Sequence, residues 1–280
     1  MMKQGSVSIS EDDTKRIAAL RRTVWAFYRA KGRHDLPWRK NHDPYHVWIS
    51  EIMLQQTQVP RVLEKYAQFM TLFPTVQKLA KAPLADVLKA WQGLGYNRRA
   101  KLLHLCAQEV TKKLHGVFPQ DTKELRALPG IGPYTASAIQ AFAFNIGTPL
   151  IETNVRTVFL HHFFPHRDAV HDNELMPLIE AALPKNRACD WYAALMDYGT
   201  HLKATVGNAN HRSKHHTVQS KFKGSDRELR GKILRTLAEK SVALRPLQKL
   251  DPSKDRTKTQ LQNLVREGMI RKEGNYYILG

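Results

Sequence analysis

Cysteine is nearly missing from this 280-residue chain, which holds only Cys106 and Cys189. Two thiols close at most one disulfide and cannot alone hold a four-thiolate metal centre, so a disulfide scaffold and an all-cysteine cluster are excluded. No run approaches the ~18–20 consecutive apolar residues of a helical membrane span. The opening stretch MMKQGSVSISEDDTKRIAAL also lacks the apolar centre of a secretory leader. The expectation is a soluble intracellular chain with no membrane partner. Negative charge is short as well: 25 Asp and Glu stand against 44 Lys and Arg, a formal net charge of +19 with a pI of about 10.0. A surplus of that size predicts a polyanionic partner, nucleic acid before others. With 42% hydrophobic and 25% charged residues the composition is that of a globular protein. The length predicts two or three packed units rather than a disordered tail.

Alternating strand patterns of useful length are missing before about residue 270, whereas three- and four-residue apolar spacing recurs throughout. Ser10 ahead of Glu11, Asp12 and Asp13 predicts a capped helix start, and Ile17, Leu20, Val24, Phe27 and Tyr28 then share one face up to Gly32. Further helices are predicted at 45–56, 59–72, 84–92, 97–115, 121–128, 133–145, 153–163, 172–182 and 187–203, many separated by proline or glycine. Residues 204–225, ATVGNANHRSKHHTVQSKFKGS, are polar and basic and are expected to form a linker or an extended surface segment. Beyond them Leu229, Ile233, Leu234 and Leu237 mark an amphipathic helix, a short helix follows Pro246, and a third covers about 255–267. RKEGNYYIL then reads as two strands around Gly274, which gives the element order of a winged helix. Eighteen of the 44 basic residues but only 7 of the 25 acidic ones lie from residue 201 onward, so the charge surplus is concentrated in the linker and tail.

Between two predicted helices, Leu128-Pro129-Gly130-Ile131-Gly132 offers a tight turn with outward-facing amides, and the helix starting near Pro133 adds partial positive charge. Gly130 and Gly132 are therefore candidates for holding a phosphate. The same Gly-x-Gly would also serve as a plain connection between helices.

The wider sequence resembles the helix-hairpin-helix DNA glycosylases, and among them the MutY-type adenine glycosylases. The resemblance is carried by LPWRKNHDPYHVWISEIMLQQTQV at 36–59, FPTVQKLAKA at 73–82, WQGLGYNRRAKLLH at 91–104, LPGIGPYTASAIQAFAF at 128–144, ETNVRTV at 152–158 and ALMDYG at 194–199. Order and spacing match over about 170 residues. LPWR with SEIMLQQT is a specific signature, whereas LPGIG is shared by the superfamily. The resemblance implies an all-α, two-lobed helix-hairpin-helix glycosylase fold over 1–203, with a six-helix barrel lobe at about 35–150. The basic linker 204–225 and a small winged-helix-like α+β domain at 226–280 would follow. The implied activity is base excision repair: hydrolysis of the N-glycosidic bond of an adenine flipped from a mismatch with guanine or 8-oxoguanine in double-stranded DNA.

By that resemblance Glu51 is the general acid that protonates the purine ring, so that adenine leaves as a neutral base. Cleavage builds oxocarbenium charge on the deoxyribose and calls for a second carboxylate near the anomeric carbon. The two acids need opposite protonation states. Trp48, Ile52, Met53 and Leu54 are expected to desolvate Glu51 enough to hold its proton, a solvated helix glutamate being the plain alternative. The second acid is an aspartate in the family and Glu152 here, with Asn154 of the same motif retained. An extra methylene shifts a carboxylate by roughly 1.5 Å, and displacement of that order can cost ~100-fold in a positioned site. Either the pocket has adjusted around Glu152, or the activity has shifted or decayed. Tyr134 stands where strand-cutting relatives carry a lysine nucleophile, and a phenol cannot form a Schiff base, so a monofunctional enzyme is expected. Arg39 is expected beside Glu51 in the base pocket. Gln56 and Tyr96 would wedge into the duplex, and Thr57 and Leu94 would face the opposite purine. Packing roles for Tyr96 and Leu94 and a surface role for Gln56 are the alternatives.

Most relatives carry an iron–sulfur cluster on four cysteines after the ALMD segment, and the matching positions here are Lys203, Asn210, Ser213 and Gln219. No cluster and no other cofactor is therefore expected. Lys203, Arg212, Lys214, Lys221 and Lys223 are expected to contact phosphates instead. His201, His211, His215 and His216 invite a zinc reading, against which stands the lack of a cysteine or well-spaced acidic partner. The family's usual Nudix-like domain, which reads 8-oxoguanine, does not fit the short tail, so reading of the opposite base would fall to Thr57, Leu94 and the tail. The chain is expected to be a cytoplasmic, nucleoid-associated monomer whose tail grips DNA or docks a protein partner. Two other functions stay open: a thymine or uracil mismatch glycosylase on the same scaffold, and a DNA-structure binder with weakened catalysis.

Overall fold

The computed structural model describes residues 9–280. Residues 1–8, part of the stretch searched for a leader, lie outside the described residues. The chain runs through α1 (Glu11–Lys31), α2 (Pro37–Lys40), α3 (Pro44–Leu54), α4 (Val59–Leu72), α5 (Val76–Lys81), α6 (Leu84–Ala90), α7 (Arg98–Lys113) and α8 (Thr122–Ala127). It continues through α9 (Pro133–Phe144), α10 (Thr153–Phe163), α11 (Asp172–Ala181) and α12 (Ala188–Thr205) to a 3-10 turn at Ala209–Arg212. The last elements are α13 (Asp226–Glu239), β1 (Val242–Ala243), α14 (Leu244–Leu247), α15 (Lys254–Arg266), β2 (Ile270–Glu273) and β3 (Tyr276–Leu279). The expected all-α class holds, with one small sheet in the C-terminal segment. Among the described residues no helix is long and apolar enough to cross a membrane.

Two compact units result, one built from the chain up to Val47 and Gly132–Val218, the other from Trp48–Ile131 and Gln219–Gly280. In the first unit, Ser10 and Asp13 form a reciprocal capping box at the start of α1, and Ile17, Leu20, Val24 and Tyr28 bury that helix against α10 and α12. Helix α9 is buried on every side from Thr135 to Ala141, as a run of small and apolar residues requires. Helices α10 and α12 approach so closely that a Cβ on Gly199 would lie 2.4 Å from the Asn154 carbonyl oxygen, so only glycine fits. The stretch 204–225, expected as a linker, is not uniform. The buried Asn210 amide donates to Thr153 O (3.1 Å) and Thr157 Oγ1 (2.6 Å), and Ser213 bridges Val170. A polar composition hid this part of the fold because the buried Asn210 amide finds its acceptors on α10, far away in sequence.

The core of the second unit includes the fully buried Trp48, Phe69, Leu79, Leu88, Trp91 and Leu103. Trp91 meets Phe69 edge-on at 6.0 Å between ring centroids. Helix α5, absent from the predicted elements, is too short to show periodicity; Thr75 Oγ1 caps it by accepting the Lys78 N–H, and it packs on α7. In the C-terminal segment α13 packs on α15, β3 and α6. The sheet has the order β1-β3-β2, all antiparallel, with Val242 opposite Tyr277 and Ile270 opposite Leu279.

Candidate active site

In the second unit, α3 carries Glu51 inward: it is 6% exposed, flanked by the buried Ser50, Ile52 and Met53. The helix ends at Leu54, and the chain turns through Gln56 at φ 54°. A second turn, after α6, holds Tyr96 at φ 47°. Side-chain-bearing residues rarely enter this left-handed region, at a cost on the order of 1–3 kcal/mol each. Both residues expected to enter the duplex are held there.

Arg99 in the first turn of α7 holds both loops. Its Nη1 donates to the carbonyls of Ile52 (2.7 Å), Met53 (3.2 Å) and Gln55 (2.6 Å). Its Nη2 donates to Thr57 Oγ1 (3.3 Å), Leu94 O (2.9 Å) and Gly95 O (3.1 Å). Burial lowers its pKa to about 10, opposed by the neighbouring Tyr96. The sequence reading missed this residue by counting it as surplus charge. A signal was there: an arginine at a helix N-terminus faces the wrong end of the helix dipole and needs acceptors elsewhere. Around the two loops the fold brings together Gln56, Thr57, Leu94 and Tyr96, all lining one groove, with Leu94 only 5% exposed. The Tyr96 hydroxyl accepts from Gln219 Nε2 (2.6 Å) and from Arg227 Nη1.

The hairpin follows α8. Gly130 has φ +77°, and a Cβ there would sit 2.9 Å from Leu102 Cβ, so the tight turn needs glycine. Gly132 caps α9 without a side-chain acceptor, and nothing lies within 4 Å of where its Cβ would be. The first amides of α9 can therefore take an anion.

In the first unit, Glu152 is the N-cap of α10. Its Oε1 accepts the N–H groups of Asn154 (2.7 Å) and Val155 (3.0 Å), and its Oε2 accepts Asn154 Nδ2 (3.3 Å). The Glu152 side chain thus folds back onto the start of its own helix. Burial raises the Glu152 carboxyl, opposed by those two N–H groups and by Lys203 and Arg156. Asn154 Oδ1 also accepts from Thr200 Oγ1 at 3.4 Å. Tyr134 is half-buried on the first turn of α9, against the core of this unit.

Two residues expected at the base or at phosphate make bonds within the protein. Arg39, expected at the base, instead grips Asp197: Nη1 and Nη2 donate to Oδ2 (2.7 Å) and Oδ1 (2.9 Å), and further bonds reach Arg33 O and Ala193 O. Asp197, which the sequence reading passed over, also receives the Arg33 N–H (2.8 Å) and Nε (2.6 Å), and these contacts hold it below the usual carboxylate range against its burial. Arg212, expected at phosphate, donates to Pro165 O and to Leu160 O (3.3 Å), closing the end of α10. Lys203 is half-buried; burial lowers it, while Glu152 nearby favours its charge. Lys214, Lys221 and Lys223 are exposed.

An ammonium, two amides and a hydroxyl at Lys203, Asn210, Gln219 and Ser213 are not the thiolates an iron–sulfur cluster takes, so these residues do not fit one. Among the described residues no three of His, Cys, Asp and Glu are grouped to hold a metal ion.

Two helical units, a glycine hairpin leading into α9, a buried glutamate on α3 and a half-buried one capping α10 define a helix-hairpin-helix protein of the DNA glycosylase class. A family model described as HhH-GPD superfamily base excision DNA repair protein matches residues 49–184, and the adenine DNA glycosylase of Mycolicibacterium smegmatis is 32% identical over 274 residues, 89% of this chain and 92% of that protein. The chain belongs to the HhH-GPD superfamily of base excision DNA repair proteins, in its MutY-type adenine DNA glycosylase branch. The adenine DNA glycosylase of Buchnera aphidicola subsp. Baizongia pistaciae is 36% identical over 178 residues, 63% of this chain and 51% of that protein. The chain thus spans about half the length of the Buchnera relative. The solved structure of a thermostable thymine-DNA glycosylase is 27% identical, with a TM-score of 0.61 over 68% of this chain and 88% of that one.

Proposed function

We propose that the chain is a monofunctional adenine DNA glycosylase of base excision repair, acting on adenine mispaired with guanine or 8-oxoguanine. The observation that carries this reading is the likeness to the M. smegmatis adenine DNA glycosylase along nearly the whole length of both chains. In this reading the hairpin amides at Gly130 and Gly132 and the exposed Lys221 and Lys223 hold phosphates, and Gln56 and Tyr96 fill the space of the flipped base. Glu51 delivers a proton to the adenine ring as the bond to the anomeric carbon breaks and its electron pair leaves with the base. The Glu152 carboxylate faces the positive sugar with Asn154 fixing its direction, and water then adds to the anomeric carbon. Tyr134 supplies no amine, so the product is an abasic site in an intact strand. The chain acts as a monomer, without a cluster.

A panel of duplexes carrying A:G, A:8-oxoguanine, T:G and U:G, scored for abasic sites after alkali with wild type and Glu51→Gln, tests the reading. Adenine release that disappears in Glu51→Gln supports it. Thymine or uracil release supports a second reading, pyrimidine mismatch repair, which the likeness to the thymine-DNA glycosylase structure favours. Release of no base from any duplex overturns both, and strand cleavage without alkali contradicts the monofunctional assignment.

A further inference from the structure

Glu152 meets two opposed demands. A carboxyl that faces a developing sugar cation must be charged, whereas burial raises Glu152 and favours its proton. Against burial stand the N–H groups of Asn154 and Val155 and two cations, Lys203 on α12 and Arg156 on α10. Arg156 is already matched: its Nε and Nη2 donate to Asp172 Oδ1 (2.8 Å) and Oδ2 (2.7 Å) on α11. For Lys203 the acidic neighbour is Glu152 itself, with Arg33 opposing, and Arg33 is in turn paired with Asp197. Helix packing explains where Lys203 lies. Gly199 lets α12 touch the Asn154 carbonyl, and Thr200 Oγ1 donates to Asn154 Oδ1 at 3.4 Å. Lys203 follows Gly199 by one turn on the same helix face, and a helical side chain leans back over the turn before it. Its stem thus covers the turn that meets the start of α10, where Glu152 is the N-cap, and the side chain is half-buried there.

A positive charge laid over a half-buried carboxyl favours its ionised form, and a cation already committed to another carboxylate does so less. We propose that Lys203 is a positioning residue for base release: its ammonium, carried over the start of α10 by α12, keeps Glu152 ionised where the sugar cation develops. This rests on the adenine reading above and deepens it, because it names the group on which the charge of Glu152 depends. It also gives Lys203 a task at a carboxylate in place of the phosphate contact expected from the sequence.

The test is single-turnover adenine release by the full chain across pH, at saturating protein, from a duplex with adenine opposite guanine or 8-oxoguanine. Wild type is compared with Lys203→Met, which keeps the stem and removes the charge, and Lys203→Arg, which keeps the charge. Without the cation Glu152 takes up its proton at higher pH, so the rate of the methionine variant falls earlier as pH is lowered. The ratio of wild-type to Lys203→Met rates is expected to grow by about threefold or more from about pH 8 to about pH 5.5, with Lys203→Arg tracking wild type. Should the methionine variant melt well below wild type, Lys203→Gln gives the same comparison with a polar end. A ratio that stays constant with pH overturns the proposal while leaving adenine release standing, and so does an equal shift in Lys203→Arg. Weaker duplex binding with parallel pH profiles also overturns it and returns Lys203 to a phosphate. Adenine release from no duplex by wild type overturns the adenine reading and this proposal with it.

Discussion

Replacing Arg99 by lysine tests how the two loops are held. The guanidinium forks, one nitrogen serving the end of α3 and the other the Thr57 and Leu94–Gly95 side, at 2.6–3.3 Å. A lysine ammonium has three donors on one nitrogen and cannot span both sides. If it keeps the α3 carbonyls, Leu94 O and Gly95 O lose their partner. Hydrogen bonds to a charged group contribute about 1.5–3 kcal/mol each. With partial replacement by water, Arg99→Lys is expected to cost about 2–4 kcal/mol. The strain at Gln56 and Tyr96, held by the same contacts, would then release by letting the loops move. Arg99→Met is a control that removes the charge which burial disfavours, yet still leaves the carbonyls bare. Urea unfolding gives the stability change, and limited proteolysis within 55–58 and 92–97 reports loop opening. A lysine variant within about 0.5 kcal/mol of wild type, with both loops as resistant as before, would refute the reasoning.

Glu152→Gln keeps an oxygen for the α10 cap but removes the charge, so stability within about 1 kcal/mol of wild type and adenine release reduced at least ~100-fold are expected; equal losses of folding and activity in a melting and turnover pair would reduce Glu152 to a cap. Asp197→Ala leaves the nearly buried Arg39 without its counter-charge and is expected to cost about 3–5 kcal/mol by urea titration, a loss under about 1 kcal/mol counting against it. His162 is lowered to about 4, by burial first and then by His161 and Arg16. Below pH 6.5 the unfolded chain therefore binds a proton here that the folded chain refuses until about pH 4. Its contribution to stability is full above that window and is lost as pH falls through it. In paired melting curves the stability difference between wild type and His162→Gln should stay flat above pH 6.5 and move in favour of the glutamine as pH falls toward 4, whereas parallel curves would exclude the titration.

The helices with periodic apolar faces were legible in the sequence, as were the Ser10 cap, the hairpin and the helix-then-hairpin order of the tail, because each depends on neighbours within a turn or two. The polar residues that fix the sites were not. Arg99 finds Ile52 across 47 positions, Asn210 finds Thr157 across 53, and Arg39 finds Asp197 across 158. A net charge of +19 gives each arginine the same face value. The fold spends Arg39, Arg99 and Arg212 on carboxylate and carbonyl groups and leaves Lys221 and Lys223 outside. The consequence of Glu152 for aspartate was likewise hidden, since what the extra methylene does depends on α10 starting where its carboxylate can fold back.

The central claim, proton delivery from Glu51 to a departing adenine, is tested most directly by single-turnover release from a duplex with one adenine opposite guanine or 8-oxoguanine, comparing wild type with Glu51→Gln at saturating protein. The account predicts an alkali-labile site with wild type, and release slowed by about 10²–10⁴ in the variant with duplex affinity retained. A Glu51→Gln chain that still releases adenine within tenfold of the wild-type rate would contradict it.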